Sequence, residues 1–392
     1  MHTFFAALWF GCALAPRAEG GAAPEVHIFV DPVRGRDDWM GSCEQPVRSI
    51  SAALARIAEP VEGHPSITLE PGDYDSTGGV EMPTNSLQLA KRMRPDAYIL
   101  IHASRALRNS SARATFRWKG ERRMIEATEG QWRLSEIQVG TGEESQIRGL
   151  FAHGPVDVLL ADARFELVSH SDAALWVERG ARLQLTGPIV INQRDVGQES
   201  PENSYSGVVA TDGGLIEFVD REHSKLVLGN GSLRASYYGT IRLGCQTAEI
   251  TCHGRSNLLS VCNSGRIDLR NTMTTLVATD PKNTPIGLEH DGHVLAEDAV
   301  IKIRGKNDSA IALQKASTFT CNDLYLEGEF RTALWASSGS MFVGRFKGDV
   351  GRLEARTCAT ISVEKIVGKL RGAVDAQSGG VVSLPDRLVS SR

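Results

Sequence analysis

The stretch "GVVATDGGLIEF" at 207–218 holds two short pairs of apolar residues on either side of a turn with two glycines. Val208 and Ala210 stand two residues apart, as do Ile216 and Phe218. Residues two apart lie on the same face of a strand, so each half predicts a strand with one buried face. Glycine lets the backbone bend sharply and pack closely. The stretch therefore predicts two strands that meet at a tight bend.

The same arrangement occurs nine times along the chain. We call the hydrophobic residue two places after each small hinge residue the anchor. The anchors are Leu183, Ile216, Ile241, Ile267, Val294, Phe319, Phe342, Ile361 and Val382. The residues eight and six places before every anchor are apolar, and the hinge is always Gly, Ala or Ser. Successive anchors are 19 to 33 residues apart, a period that is typical of a solenoid.

Most copies add a third short apolar run, such as "IVIN" at 189 and "IKIRG" at 301. Three strands and three bends per repeat indicate a triangular coil. Helical repeats would need apolar residues three and four apart over ten or more positions. The sequence therefore predicts an all-β, parallel β-helix whose coils stack at about 4.8 Å. Weaker copies of the repeat begin at 124 and 149.

The composition suits such a core and excludes some partners. Of 392 residues, 41% are apolar and only 6% aromatic, so the core must consist of aliphatic stacks. The net charge is −4 with basic residues scattered among acids, which argues against nucleic acid as a partner. No segment after the N-terminus is apolar enough to predict a membrane span.

The N-terminal sequence "MHTFFAALWFGCALAPRAEGGAA" predicts a signal peptide over 1–23, with a disordered apolar terminus as the alternative. Export would place the protein outside the cell, in the periplasm or at the cell surface. It would also permit disulfides among the six remaining cysteines. Cys245 and Cys252 are the favoured pair if any bridge forms, and buried free thiols are the stronger alternative.

A helix is predicted next to the start of the solenoid. Ser49 is a suitable N-cap, and Ile50, Ala53, Leu54 and Ile57 follow at helical spacing. An amphipathic helix here would cover the open end of the coil and hide its strand edges. We therefore divide the mature chain into a cap with irregular first coils over 24–123 and regular repeats over 124–392.

Three motifs in this region resemble the opening segment of the pectate-lyase-like superfamily of right-handed β-helix proteins. They are the Asp-rich turn from Val30 to Asp38, the helix from Pro46 to Leu54 and the strand from Ile67 to Tyr74. The resemblance implies a right-handed coil with an N-terminal capping helix. It implies no single function, because this scaffold serves lyases, hydrolases, epimerases, esterases, tailspikes and adhesins. The catalytic motifs of its lyases, polygalacturonases, epimerases and methylesterases are missing, so no catalytic residue is carried over.

Candidate catalytic residues come from the position after each anchor, which faces outward. Glu217, Arg242 and Asp268 occupy this position in three successive coils. The two carboxylates would lie roughly 9 to 10 Å apart, near the upper end of the range for an inverting glycosidase. Arg242 could instead bind a uronate or stabilise an enolate in a lyase. The favoured alternative is a structural ladder of paired charges.

A second candidate is the bend "GLEHDGHV", where Glu289, His290, Asp291 and His293 surround a hinge glycine. Histidine beside carboxylates suits acid and base chemistry or substrate binding. The favoured alternative is an ordinary polar bend without function.

A third candidate is the polar loop over 192–206, which lengthens one repeat. Its residues Asn192, Arg194, Asp195 and Tyr205 could wall a substrate groove that contains Glu217. The alternative is a tolerated insertion. Trp176 and Trp335 could stack on sugars, but the register separates them by six coils, so they cannot share one small site.

The sequence thus predicts an exported β-helix that binds a polysaccharide or glycan surface along a lateral groove within 175–295. It would process its ligand as a lyase, hydrolase or epimerase, with calcium left open as a cofactor. The first alternative is a non-catalytic surface, adhesion or structural protein. A second is an oligomeric, tailspike-like fibre, and self-association through the C-terminal coil is a related expectation.

Overall fold

The computed structural model describes residues 26–75, 87–104, 114–118, 124–141, 148–168, 173–194, 206–229, 231–252, 257–281 and 284–390. The predicted signal peptide lies outside these residues. So do most of the polar loop over 192–206 and its candidates Asp195 and Tyr205.

Nearly all regular structure is β. The elements in chain order are β1 (His27–Val30), α1 (Ile50–Arg56), β2 (Ser66–Leu69), β3 (Gly72–Asp75), β4 (Leu87–Ala90), β5 (Ile99–Ala103), β6 (Ala114–Trp118), β7 (Ile125–Ser135), β8 (Gln138–Thr141), β9 (Arg148–His153), β10 (Val156–Ala161), β11 (Arg164–Val168), β12 (Ala173–Glu178), β13 (Arg182–Thr186), β14 (Pro188–Arg194), β15 (Ser206–Ala210), β16 (Leu215–Phe218), β17 (Lys225–Gly229), β18 (Ser232–Ser236), β19 (Thr240–Arg242), β20 (Thr247–Cys252), β21 (Leu259–Cys262), β22 (Arg266–Asp268), β23 (Met273–Ala278), β24 (Ile286–Glu289), β25 (His293–Leu313), β26 (Thr318–Ala336), β27 (Met341–Gly348), β28 (Arg352–Arg356), β29 (Thr360–Val367), β30 (Val374–Gln377), β31 (Val381–Ser383) and β32 (Leu388–Ser390).

These strands form three parallel ladders, which we call the first, second and third sheets. The first sheet contains β4, β7, β9, β12, β15, β18, β21, β24, β25, β26, β28 and β30. The second contains β1, β2, β5, β7, β10, β13, β16, β19, β22, β25, β26, β27, β29 and β31. The third contains β3, β6, β8, β11, β14, β17, β20, β23, β25, β26, β27 and β29. Long strands such as β25 continue from one sheet into the next.

The predicted repeat register is confirmed. Each anchor pairs with the anchor of the next coil, from Leu183 opposite Ile216 to Ile361 opposite Val382. All nine anchors are fully buried. The apolar residues eight and six places before them are also buried in every coil but the last. The core is therefore a continuous stack of mostly aliphatic residues, with phenylalanine at the anchors Phe319 and Phe342, because alternate residues of every strand point into the coil.

The hinge positions are small because neighbouring coils approach closely there. A Cβ added to Gly239 would lie 2.1 Å from the carbonyl oxygen of Ala210 in the preceding coil. Where the hinge is Ser340, its hydroxyl donates to the carbonyl of Ser337 at 2.7 Å. A larger side chain would force the coils apart and break the stack.

The predicted helix is present as α1. The Ser49 hydroxyl oxygen accepts a hydrogen bond from the backbone N–H of Ala52 at 3.1 Å, as an N-cap does. Ile50, Ala53 and Leu54 are buried in the core. The capping role of α1 and the right-handed sense of the coil stay predictions.

Cys245 and Cys252 are both buried, and the Cys245 thiol is not in a disulfide, so the favoured bridge between them is not formed. Burial raises the pKa of the Cys245 thiol to about 11, which keeps it protonated and inert. At the C-terminal end, β32 folds back as an antiparallel neighbour of β31. No helix among the described residues has the length and apolarity to cross a membrane.

Candidate functional site

The predicted catalytic trio lies on the second sheet as neighbouring rungs. Glu217 is opposite Arg242, and Arg242 is opposite Asp268. The register therefore brings the three residues together, as the spacing of the anchors requires. What their side chains can do depends on the groups that bind them.

Glu217 is held between two guanidinium groups. Arg182 Nε donates to Glu217 Oε1 at 2.8 Å, and Arg242 Nη1 lies 3.4 Å from Glu217 Oε2. Arg182 also reaches Asp157 in the preceding coil, at 3.8 Å. Only 12% of the Glu217 side chain is exposed. The carboxylate is thus satisfied inside the protein and offers little free surface to a ligand.

Asp268 is still more enclosed, with 5% exposure. Arg270 binds both of its carboxylate oxygens, with Nε 2.9 Å from Oδ1 and Nη2 2.6 Å from Oδ2. Burial acts to raise the pKa of Asp268, but the hydrogen bonds and charge of Arg270 outweigh it and hold that pKa below its ordinary value. Asp268 therefore stays ionised and cannot serve as the general acid that a glycosidase needs.

We call the set Asp157, Arg182, Glu217, Arg242, Asp268 and Arg270 the ion-pair ladder. Sequence reasoning missed Arg182 and Arg270. Reading the position just before each anchor would have found Arg182, because it faces outward on the same sheet as Glu217. The contacts of Glu217 are cross-strand charge pairs, whereas Asp268 and Arg270 pair within one coil.

The other predicted groove residues lie elsewhere. Asn192 is on the third sheet, where its side-chain amide donates to Glu166 at 2.9 Å, whereas Glu217 is on the second sheet. Arg194 ends β14 on the same third sheet. Trp176 and Trp335 face outward on the first sheet, six coils apart in the observed register. The structure does not bring these residues together.

A second row of polar residues runs along the bend between the first and second sheets. At the positions four and three before each anchor, two consecutive residues have φ between 46° and 79°. We call this set the turn row. Its members are Arg179 and Gly180, Asp212 and Gly213, Tyr237 and Tyr238, Asn263 and Ser264, His290 and Asp291, Lys315 and Ala316, Ser338 and Gly339, Thr357 and Cys358, and Ser378 and Gly379.

Backbone hydrogen bonds align the turn row. From the turn at Asp212 onward, the N–H of the second residue in each turn donates to the carbonyl of the first residue in the next turn. This bond measures 3.0 Å from Gly213 to Tyr237 and 2.9 Å from Asp291 to Lys315. The side chains of the turn row therefore repeat at the spacing of the coils, about 4.8 Å.

The middle of the turn row forms an open depression of about 620 Å³. The residues that line it are Tyr237, Tyr238, Asn263, Ser264, His290, Asp291, Lys315, Ala316 and Ser338. Tyr237 is 56% exposed and Tyr238 is 75% exposed. A left-handed conformation costs a residue with a side chain roughly 1–2 kcal/mol, and bulky residues adopt it rarely. Two adjacent exposed tyrosines therefore occupy strained positions without the benefit of burial.

The structure places part of the predicted histidine cluster in this depression. His290 and Asp291 line it, and Glu289 precedes them with Oε2 3.9 Å from His290 Nδ1. Lys315 Nζ lies 2.7 Å from His290 Nε2. His293 is on the second sheet instead, where its ring contacts Thr318.

Several polar groups of the depression bind no other residue in the described part of the chain. Within the part of the chain that the structure describes, the side chains of Asp291, Asn263 and both tyrosine hydroxyls make no hydrogen bond or ion pair. Lys315 bonds only to His290 and has no carboxylate within 4.0 Å among these residues. These groups remain available to a ligand.

Comparison with protein-family models, with curated proteins and with solved structures found no match to this chain. Across the described ranges, no group of three or more His, Cys, Asp and Glu side chains could hold a metal ion. The chain is thus a parallel β-solenoid. On the bend between its first and second sheets, exposed tyrosine rings and polar side chains line one depression.

Proposed function

We propose that this chain is an exported, non-catalytic β-helix protein that binds a polysaccharide through the depression in the turn row. One observation carries the proposal: Tyr237 and Tyr238 are highly exposed although both have strained backbone conformations. All nine turns of the turn row have this backbone conformation, but among them only this turn places large aromatic rings at both positions, and both rings are exposed. The predicted signal peptide supports the exported location.

The chemistry of the depression suits a sugar chain. A pyranose ring has apolar C–H faces that stack on aromatic rings, and Tyr237 and Tyr238 offer two such rings. Sugar hydroxyls need donors and acceptors beside the stacked ring. Asn263, Asp291 and Lys315 supply both kinds within the following three coils. Because the rungs repeat along the rod, the surface fits a polymer better than a small molecule.

Catalysis by Glu217, Arg242 and Asp268 has weaker support. Each carboxylate is bound by arginines, and the pKa of Asp268 is lowered, so this residue is no proton donor near neutral pH. The enzyme hypothesis stays a prediction that a cleavage assay tests. Incubation with uronic-acid and neutral polysaccharides, with and without calcium, should release neither unsaturated products nor reducing ends.

The proposal is tested by retention of the purified protein on a panel of immobilised neutral and acidic polysaccharides. Wild-type protein should be retained on at least one of them. The double variant Tyr237→Ala, Tyr238→Ala should bind that polysaccharide about tenfold more weakly or worse, since two stacking contacts are lost.

Tyr325→Ala is the matched control, because Tyr325 faces outward on the third sheet beside Lys302 and Lys347. It should be retained as wild type is. No retention on any polysaccharide, or equal loss in both variants, would contradict the proposed function.

A further inference from the structure

The contact between His290 and Lys315 specifies one protonation state of the imidazole. Lys315 Nζ, which can only donate, lies 2.7 Å from His290 Nε2. Nε2 can accept this bond only when it carries no proton. Nε2 is therefore assigned as the unprotonated ring nitrogen that accepts from the lysine ammonium in this contact.

The groups that face His290 make the neutral state unfavourable for an anionic ligand. Its own turn contributes the carboxylates of Glu289 and Asp291, and the next coil contributes the ammonium of Lys315. The preceding coil contributes the uncharged side chains of Asn263 and Ser264, with the thiol of Cys262 opposite Glu289. With His290 neutral, negative charges exceed positive ones by one.

We infer that His290 is a pH-sensitive control of the depression, which couples binding of an acidic sugar group to uptake of a proton. This inference rests on the proposed function. Histidine is the side chain that ordinarily changes charge between pH 5 and 8. Once protonated, Nε2 becomes a donor and can no longer accept from Lys315. The Lys315 ammonium is released, and the local charge becomes balanced.

Once His290 is protonated, an anionic group of the ligand can bind to both His290 and Lys315. Two cations side by side repel each other, and a carboxylate or sulfate placed between them accepts a charge-assisted hydrogen bond from each. The proton comes from solvent, and no covalent bond in the ligand forms or breaks. By linkage, a ligand that binds the protonated form must bind more tightly as the pH falls. An uncharged sugar lacks this coupling.

The test compares an oligomer of glucuronic acid with a glucose oligomer of the same length and linkage. For wild-type protein, the dissociation constant of the acidic oligomer should fall by about tenfold between about pH 7.5 and about pH 5.5. That of the neutral oligomer should change little over the same range. Calorimetry in two buffers of different ionisation enthalpy should detect proton uptake with the acidic oligomer alone.

His290→Gln is the decisive variant. The glutamine side-chain oxygen can still accept from Lys315, but the side chain does not titrate. The pH dependence for the acidic oligomer should disappear in this variant. If it persists, or if both oligomers show the same pH profile with wild type, the inference is overturned while the proposed function stands. If neither oligomer, nor any polysaccharide of the panel, binds at any pH, both are overturned.

Discussion

The ion-pair ladder and the turn row are both polar rows that cross the same coils, yet only one of them is satisfied internally. In the ladder, Glu217 and Asp268 each find a guanidinium partner at hydrogen-bonding distance. In the turn row, Asp291 has no partner among the described residues, and Tyr237 and Tyr238 are exposed. A polar row on a solenoid is therefore a candidate for binding only where neighbouring coils leave its groups unpaired.

The difference has a geometric cause. On a flat sheet, side chains of adjacent strands lie about 5 Å apart, so Glu217 meets Arg182 and Arg242 across the strands. Asp268 is bound by Arg270 of its own coil, just beyond the end of β22. At the bend, the left-handed turns pair through their backbones, and the side chains are left to project from the surface. The ion pairs of the ladder thus stabilise the fold, whereas the side chains of the turn row form an exposed polar and aromatic surface.

The largest effect is expected from the ladder. Asp268→Asn removes a buried carboxylate that binds Arg270 through both oxygens. We expect the free energy of unfolding to fall by about 2 kcal/mol, because hydrogen bonds to charged groups are the stronger ones. Urea unfolding measures the change. Binding to polysaccharide should be unaffected, and a loss of binding without a loss of stability would assign the ladder a functional role.

The turn row should show the opposite relation between stability and binding. The double variant Tyr237→Asn, Tyr238→Gly replaces the two tyrosines with Asn-Gly, the dipeptide that tolerates two consecutive left-handed residues best. We expect stability to rise by about 1–2 kcal/mol while affinity for polysaccharide is lost. Thermal unfolding and retention assays on the same sample measure both. A stabilised variant that still binds would show that the tyrosines are not the contact surface.

A smaller effect is expected from acid. Because the pKa of Asp268 is lowered in the folded state, its stabilising contribution is present above the ordinary carboxyl range and is lost as the pH falls through the folded pKa. The stability difference between wild type and Asp268→Asn should therefore be constant near neutrality and shrink below about pH 4. Unfolding curves of both proteins near neutral pH and below about pH 4 measure this difference in stability. A difference that grows in acid would contradict the expectation.

The smallest effect on stability is expected in the depression. Asp291→Asn changes an exposed side chain that makes no internal bond among the described residues. The free energy of unfolding should change by less than about 0.5 kcal/mol. Chemical denaturation checks this, and a cost comparable to that of Asp268→Asn would mean that the two rows do not differ as described.

Much of the fold was predictable because the pattern of apolar pairs is simple. Anchors such as Ile241 and Ile267 pair with the predicted register, since a one-residue slip would expose the whole apolar face. The ladder was also predictable as a row of charges. Its arginine partner Arg270 was not, because it lies beyond the end of β22, where strand alternation no longer predicts direction.

The depression was harder to predict. Its residues stand at fixed positions before each anchor, and the bend with His290 and Asp291 was recognised as a candidate. Tyr237 and Tyr238 gave no such signal, because aromatic residues usually predict strands and rarely occupy left-handed turns. Only the backbone angles show that the repeat places these two side chains on the surface.

The most direct test of the central claim is hydroxyl-radical oxidation of the tyrosines, measured by mass spectrometry with and without a polysaccharide that the protein retains. Oxidation depends on the exposure of each ring. We expect the ligand to protect Tyr237 and Tyr238 from oxidation and to leave the oxidation of Tyr325 unchanged. Unchanged oxidation of Tyr237 and Tyr238 in the presence of a bound polysaccharide would contradict the assignment of the turn row as the binding surface.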